Sequence, residues 1–196
     1  MVKGMRYPPE VLRKGEVISI LNACSRCPTG TRDRAMIALL WRTGLRVSEM
    51  LALRPGDVDP DCNTVRVLHG KGDKDRVVGV DDHTLDLIAH WLTVRAAKGI
   101  DGRAPLFCTL KGTKLWGTHV RGMLKRRAVR AGVERRVTPH QFRHTYACEL
   151  VNEGVSIAAI QEALGHASIV MTATYLRRIA PADQTALARS RPAWDE

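Results

Sequence analysis

The run Val137-Thr-Pro-His-Gln-Phe142 fixes a helix start more firmly than any other stretch of this chain. Thr138 is a favoured N-cap, Pro139 suits the first helical position, and Gln141 completes a capping box with Thr138. Val137 and Phe142 are spaced as a hydrophobic staple across that cap. With the entry fixed, His140, Arg143 and His144 fall on one face of the first turns. A helix N-terminus is already the positive end of a dipole, so cationic groups gathered there make sense around a bound anion, and its free N–H groups favour phosphate. A second capped element follows. Ser156 caps a helix from about Ile157 to Leu164, with Val155 and Ile160 as its staple, and Gly165 fits the left-handed residue that ends a helix. His166 comes next, and Ser168 then caps a last short helix carrying Tyr175. Two histidines, an arginine and a tyrosine on capped elements predict a preorganised site for phosphoryl chemistry.

Lys and Arg number 31 against 20 Asp and Glu, a formal net charge of +11 over 196 residues. That excess points to a polyanionic partner, for which nucleic acid is the usual candidate. The length suits one domain with a sizeable core. No apolar run is long enough to span a bilayer and no signal peptide is evident, so a cytoplasmic protein without membrane contact is expected. The five cysteines, Cys24, Cys27, Cys62, Cys108 and Cys148, are odd in number and scattered, which fits reduced thiols. Cys24-Ser-Arg-Cys27 has redox or zinc spacing, but no second Cys/His pair sits at a sensible distance.

Taken in order, residues 1–8 read as a basic tail. Apolar positions recur at helical spacing from about Pro9 to Ala23. Cys27-Pro-Thr-Gly30 breaks that helix, Thr31 caps a second one of buried character, and Gly44 ends it. Arg46 lies in the turn that follows, before a short helix capped by Ser48 and closed by Pro55. Residues 64–68 and 76–80 alternate as strands of a hairpin whose loop, His69-Gly-Lys-Gly-Asp-Lys-Asp75, presents Lys71. An amphipathic helix runs from Asp82 to Gly99, residues 104–107 form a short extended piece, and Thr118 caps a basic helix to Ala131. The fold class is therefore mainly α with a small antiparallel β-sheet or hairpin. By themselves, an arginine in a helix–helix turn and a lone G-K-G are weak signals.

Breaking a phosphodiester needs a nucleophile, neutralisation of the nonbridging oxygens and protonation of the leaving oxygen. No cluster of carboxylates stands near the histidines to hold a metal, so neither metal nor cofactor is expected. The available groups are Arg46, Lys71, His140, Arg143, His166 and Tyr175. Two arginines can grip phosphate oxygens bidentately, a lysine can donate a proton, and histidines can bind phosphate or move protons.

These parts resemble, in order, the tyrosine recombinase (phage integrase) family over about residues 10 to 180: T-G-L-R-V-S-E with Arg46, G-K-G-D-K-D-R with Lys71, H-Q-F-R-H-T with His140 and Arg143, L-G-H with His166, and Tyr175 nine residues on. The resemblance implies the catalytic-domain fold of that family over 9–180. It also implies site-specific DNA recombination, in which Tyr175 forms a 3′-phosphotyrosine and frees a 5′-hydroxyl, for integration, excision, inversion or resolution. Arg46 and Arg143 would stabilise the transition state, Lys71 would protonate the leaving oxygen, and His140 and His166 would orient the phosphate and assist proton transfer. Glu49 is expected to support Arg46, and His144 to pack locally. Arg121, Lys125, Arg126, Arg130, Arg135, Arg136, Lys74 and Arg76 are expected to follow the DNA backbone.

The family further implies double-stranded DNA as the partner, a tetramer on paired DNA sites with a monomer in the absence of DNA, accessory DNA-bending proteins, and docking of the C-terminal tail, 181–196, onto a neighbouring subunit. Fewer than fifty residues precede Arg46, so no separate N-terminal core-binding domain is expected in this sequence, which reads either as a catalytic-domain fragment or as a short single-domain recombinase. The alternatives are strand relaxation like that of a type IB topoisomerase, which shares the chemistry, and a noncatalytic DNA-binding regulator on the same fold.

Overall fold

The helix Pro28–Thr43 (α2) carries an unbroken buried run from Ala35 to Trp41, and a helix that is apolar all round must sit inside. In the computed structural model, which describes residues 11–68 and 75–165, α2 is the central strut. Around it pack Lys14–Asn22 (α1), Val47–Ala52 (α3), Asp82–Ala97 (α4) and Pro139–Asn152 (α6). Gly117–Arg130 (α5) lies against α1, α3 and α6, and Ile157–Leu164 (α7) rests on α6. One large core holds Trp91, Phe107 and Phe142, all fully buried, and a smaller one joins Ala147 of α6 to Ile160 and Leu164 of α7.

A three-stranded antiparallel sheet, Val58–Asp59 (β1), Thr64–Val67 (β2) and Arg76–Gly79 (β3), sits at one edge in the order β1-β2-β3. Val65 pairs with Val78 and Val67 with Arg76, so these four share the face turned to the core. The architecture is mainly helical with a small antiparallel sheet, as the sequence pattern indicates. β1 was not anticipated, because a two-residue strand after the Pro55 turn leaves no alternation to read.

Several boundaries differ from the sequence reading. α2 starts at Pro28 with Cys27 as N-cap, not at Thr31, because proline's fixed φ and missing N–H suit the first turn. α1 starts at Lys14, with residues 11–13 non-helical. There the Leu12 N–H donates to Thr145 Oγ1 of α6 (3.0 Å), and Arg135 donates to the Val11 carbonyl (2.7 Å) and pairs with Glu16. α5 opens at Gly117, with Trp116 as N-cap, two residues before the expected cap Thr118.

Candidate active site

The site grows from the corner between α2 and α3. Gly44 ends α2 in the left-handed conformation (φ 60°), and its N–H donates to the Leu40 carbonyl. A Cβ at Gly44 would lie 2.5 Å from Tyr146 Cδ1 and 3.0 Å from Leu164 Cδ2, so α6 and α7 dock here only because the residue is glycine. Two residues on, Arg46 is itself the N-cap of α3. The expected cap was Ser48. The difference arises from Glu49, whose carboxylate accepts the Arg46 backbone N–H (2.8 Å) and completes the helix entry without a hydroxyl.

Glu49 also takes the Arg46 side chain, Nη1 to Oε1 at 2.7 Å, while Arg46 Nη2 donates to the Gly165 carbonyl (3.2 Å). Arg143 points inward from the second turn of α6 and is almost fully buried. Its Nη1 donates to the Gly44 carbonyl (2.8 Å) and its Nη2 to the Leu164 carbonyl. These carbonyls belong to the C-terminal ends of α2 and α7. Helix ends leave carbonyls without intrahelical partners and carry the negative pole of the dipole, so they suit two guanidiniums. Arg46 and Arg143, 97 residues apart in sequence, thus converge on one corner.

The electrostatics follow. Burial, then the Arg46 and Arg76 guanidiniums, push Arg143 down to about 10 against the opposing pull of Glu49, and it stays cationic at neutral pH. Burial alone would raise Glu49, but bonds from Arg76 and Arg46 outweigh it and hold the carboxyl below its ordinary value. Three guanidiniums around one carboxylate leave a local positive excess, which an anion can fill.

His140 lies in the first turn of α6, behind a cap in which Thr138 and Gln141 bond reciprocally. It is exposed, with its ring edge-on to the buried His144 (centroids 4.2 Å apart, interplanar angle 70°). Partial burial of the ring and the nearby Arg143 and Arg46 charges hold it below the usual imidazole value, so it stands neutral at pH 7. Lys71, His166, Tyr175 and Lys74 lie outside the described residues, as do the 1–8 tail, the expected Ser168 cap and the 181–196 tail. The structure therefore brings together Arg46, Glu49, His140, His144 and Arg143 of the expected set. Gly165, the residue before His166, closes α7 in the left-handed conformation against Arg46.

The expected backbone-tracking residues divide. Arg121, Lys125, Arg126 and Arg130 are exposed along α5, and Arg136 is exposed beyond it. A groove of about 650 Å³ lined by Arg121, Lys125, Arg136 and Thr138 runs to the start of α6. Arg135 lines the same groove but is also paired with Glu16, whereas Arg76 lies elsewhere and turns inward onto Glu49. The pattern could have shown the latter, since Arg76 shares the inner face of β3 with Val78. Sequence reasoning also missed Arg54, Arg66 and Arg103, which line a groove of about 990 Å³ beside Arg46 and Ser48. Distance along the chain hid them, because they come from a turn, a strand and a loop.

The pattern that describes the phage integrase family matches residues 10–180. The chain is 36% identical over 173 residues to tyrosine recombinase XerC of Xylella fastidiosa strain 9a5c, which covers 88% of this chain and 58% of that protein. It is 39% identical over 179 residues to tyrosine recombinase XerA of Thermococcus kodakarensis, covering 89% of this chain and 60% of that one. The crystal structure of XerA recombinase superposes with a TM-score of 0.83 at 30% identity, over 97% of this chain and 68% of that chain. The XerH site-specific recombinase bound to its difH substrate, in a pre-cleavage complex, gives a TM-score of 0.75 at 28% identity, over 93% of this chain and 54% of that one. The chain thus spans about three-fifths of the length of these curated relatives.

Proposed function

The chain belongs to the phage integrase family, and from that membership we propose that it is a site-specific DNA recombinase, cutting and rejoining duplex DNA through a 3′-phosphotyrosine. The observation that carries the reading is the convergence of Arg46 and Arg143 on the Gly44, Leu164 and Gly165 carbonyls. Each guanidinium carries five N–H donors and spends two on protein acceptors, so donors remain in this reading for the nonbridging oxygens of one phosphate.

In the cleavage step the Tyr175 hydroxyl loses its proton and attacks phosphorus. The P–O5′ bond breaks, and the leaving 5′-oxygen takes a proton from Lys71. Arg46 and Arg143 neutralise the charge that builds on the nonbridging oxygens, where one preorganised donor is worth roughly 10²–10³-fold in rate. His140, neutral at pH 7, orients the phosphate and is able to accept a proton. His166, next to Gly165, serves the same phosphate. A second 5′-hydroxyl reverses the step on a new strand. The covalent link conserves the phosphodiester bond, so no ATP is consumed.

Duplex DNA lies against the exposed face of α5 in this reading, and two paired sites assemble a tetramer in the cytoplasm in which 181–196 docks onto a neighbour. No helix of the described residues is long and apolar enough to cross a membrane. The test is a pool of nicked duplexes with randomised flanks, resolved on a denaturing gel. A covalent protein–DNA adduct formed by the native chain and lost in Tyr175→Phe is the expected result. An adduct that survives Tyr175→Phe refutes the assignment.

A further inference from the structure

We propose that Arg76 is a positioning residue for the cleavage step, acting through Glu49 on Arg46; this rests on the recombinase reading above. The Glu49 carboxylate is buried and accepts from four donors. Oε1 takes Arg46 Nη1 (2.7 Å) and Arg76 Nη1 (3.2 Å), and Oε2 takes the Arg46 backbone N–H (2.8 Å) and Arg76 Nη2 (2.9 Å). A carboxylate offers about four lone-pair sites, so the two arginines saturate it. The fork of Arg76 meets both oxygens at once and therefore fixes the plane of the carboxylate, which a single point contact would leave free to rotate.

That plane sets where Arg46 points, because one Glu49 oxygen holds the Arg46 backbone and the other its guanidinium. Arg76 itself is only 12% exposed, and its Nε is buried with no hydrogen-bond partner among the described residues. Its orientation is consequently set by Glu49. A Cβ at Gly165 would lie 3.0 Å from Arg76 Cζ, so the turn that accepts from Arg46 Nη2 also packs on the Arg76 guanidinium. Arg76 thus presses on Arg46 from two sides, through Glu49 and through Gly165, while being too enclosed to track a DNA backbone.

The test uses the full chain with Arg76→Gln, Arg76→Lys, Glu49→Gln and the Arg76→Gln/Glu49→Gln double variant. Single-turnover strand cleavage is followed on a phosphodiester and on a methylphosphonate at the scissile position, with DNA affinity measured alongside. Replacing a nonbridging oxygen by methyl removes the charge that Arg46 neutralises, so a defect transmitted through Arg46 must shrink on that substrate. Arg76→Gln is expected to slow phosphodiester cleavage at least about 10-fold, as loss of a supporting partner typically does, with unchanged affinity.

On the methylphosphonate the gap should close to within about 3-fold, and the double variant should be no slower than the slower single one. Arg76→Lys, which keeps the charge but not the fork, should fall between. Equal defects on both substrates, no defect, or additive variants overturn the proposal. Should Arg76→Gln fail to fold, Arg76→Lys carries the same comparison. A native chain that cleaves neither substrate refutes the recombinase reading instead.

Discussion

Arg46 and Arg143 donate to adjoining carbonyls at one helix end, Gly165 for the first and Leu164 for the second. The end of α7 therefore sets the spacing of the two guanidiniums, and the sharp turn at Gly44 holds the opposite side of Arg143.

Arg143→Lys should abolish most cleavage. An ammonium cannot reach the Gly44 and Leu164 carbonyls together while still presenting an edge to phosphate. The expected loss is roughly 10²–10³-fold in the single-turnover rate, with DNA affinity little changed. Rates measured beside filter binding decide it; a variant as fast as the native chain would show that the fork is unnecessary.

Gly44→Ala should cost stability and activity together. The left-handed backbone alone penalises a Cβ by about 1–2 kcal/mol, and that atom would meet the Tyr146 ring at 2.5 Å. Displacing Tyr146 shifts α6 relative to the carbonyl that holds Arg143. Urea unfolding should give a lower midpoint with an unchanged m-value, and cleavage per folded molecule should also drop.

Apart from the α3 start, which is capped at Arg46 and not Ser48, the helix starts and stops of this site were legible because they are local. The Thr138–Gln141 box, the Ser156 cap and the Gly44 and Gly165 stops are each decided within a few residues. What was not legible is tertiary. Nothing near Arg46 says that a helix end 119 residues away supplies its acceptor. Glu49 could be named as a partner of Arg46 from its spacing, but its second guanidinium comes across the hairpin. Charge alone marks Arg76 as a DNA contact, whereas strand alternation puts it on the Val78 face of β3, where it pairs with Glu49.

Stability should depend on pH in two separate windows. His140 has a folded pKa held below its ordinary value near 6.5, so the unfolded chain binds the proton more readily as pH falls past that point. Stability is therefore full above about pH 6.5 and declines as pH falls toward the lowered folded value. Glu49, also depressed, contributes above its ordinary carboxylate pKa and is lost as pH falls through its lower folded value. His140→Gln should flatten the urea-midpoint profile in the first window and leave the decline below about pH 4.5 in place. A slope between pH 6.5 and 5 unchanged by His140→Gln would assign that titration elsewhere.

Neighbouring basic residues of α5 should respond in opposite ways to the same change. Arg121 and Lys125 are exposed and line the groove that leads to α6. Alanine at either should weaken DNA binding evenly across sequences and lower the slope of log K against log salt by about 1, with no effect on unfolding. Arg127 faces the other way. Its Nη2 pairs with the buried Asp33 at 2.7 Å, and its Nη1 reaches the Ala23 carbonyl. Arg127→Ala should therefore leave the salt slope unchanged and destabilise the fold. Asp33 keeps Arg32 at 2.9 Å, so the carboxylate is not orphaned and the cost should be about 1–3 kcal/mol, less than for a fully broken buried pair. Salt titrations and urea melts on the three variants separate the outcomes, and an Arg127→Ala variant that lost salt dependence instead of stability would place the DNA track on the wrong face of the helix.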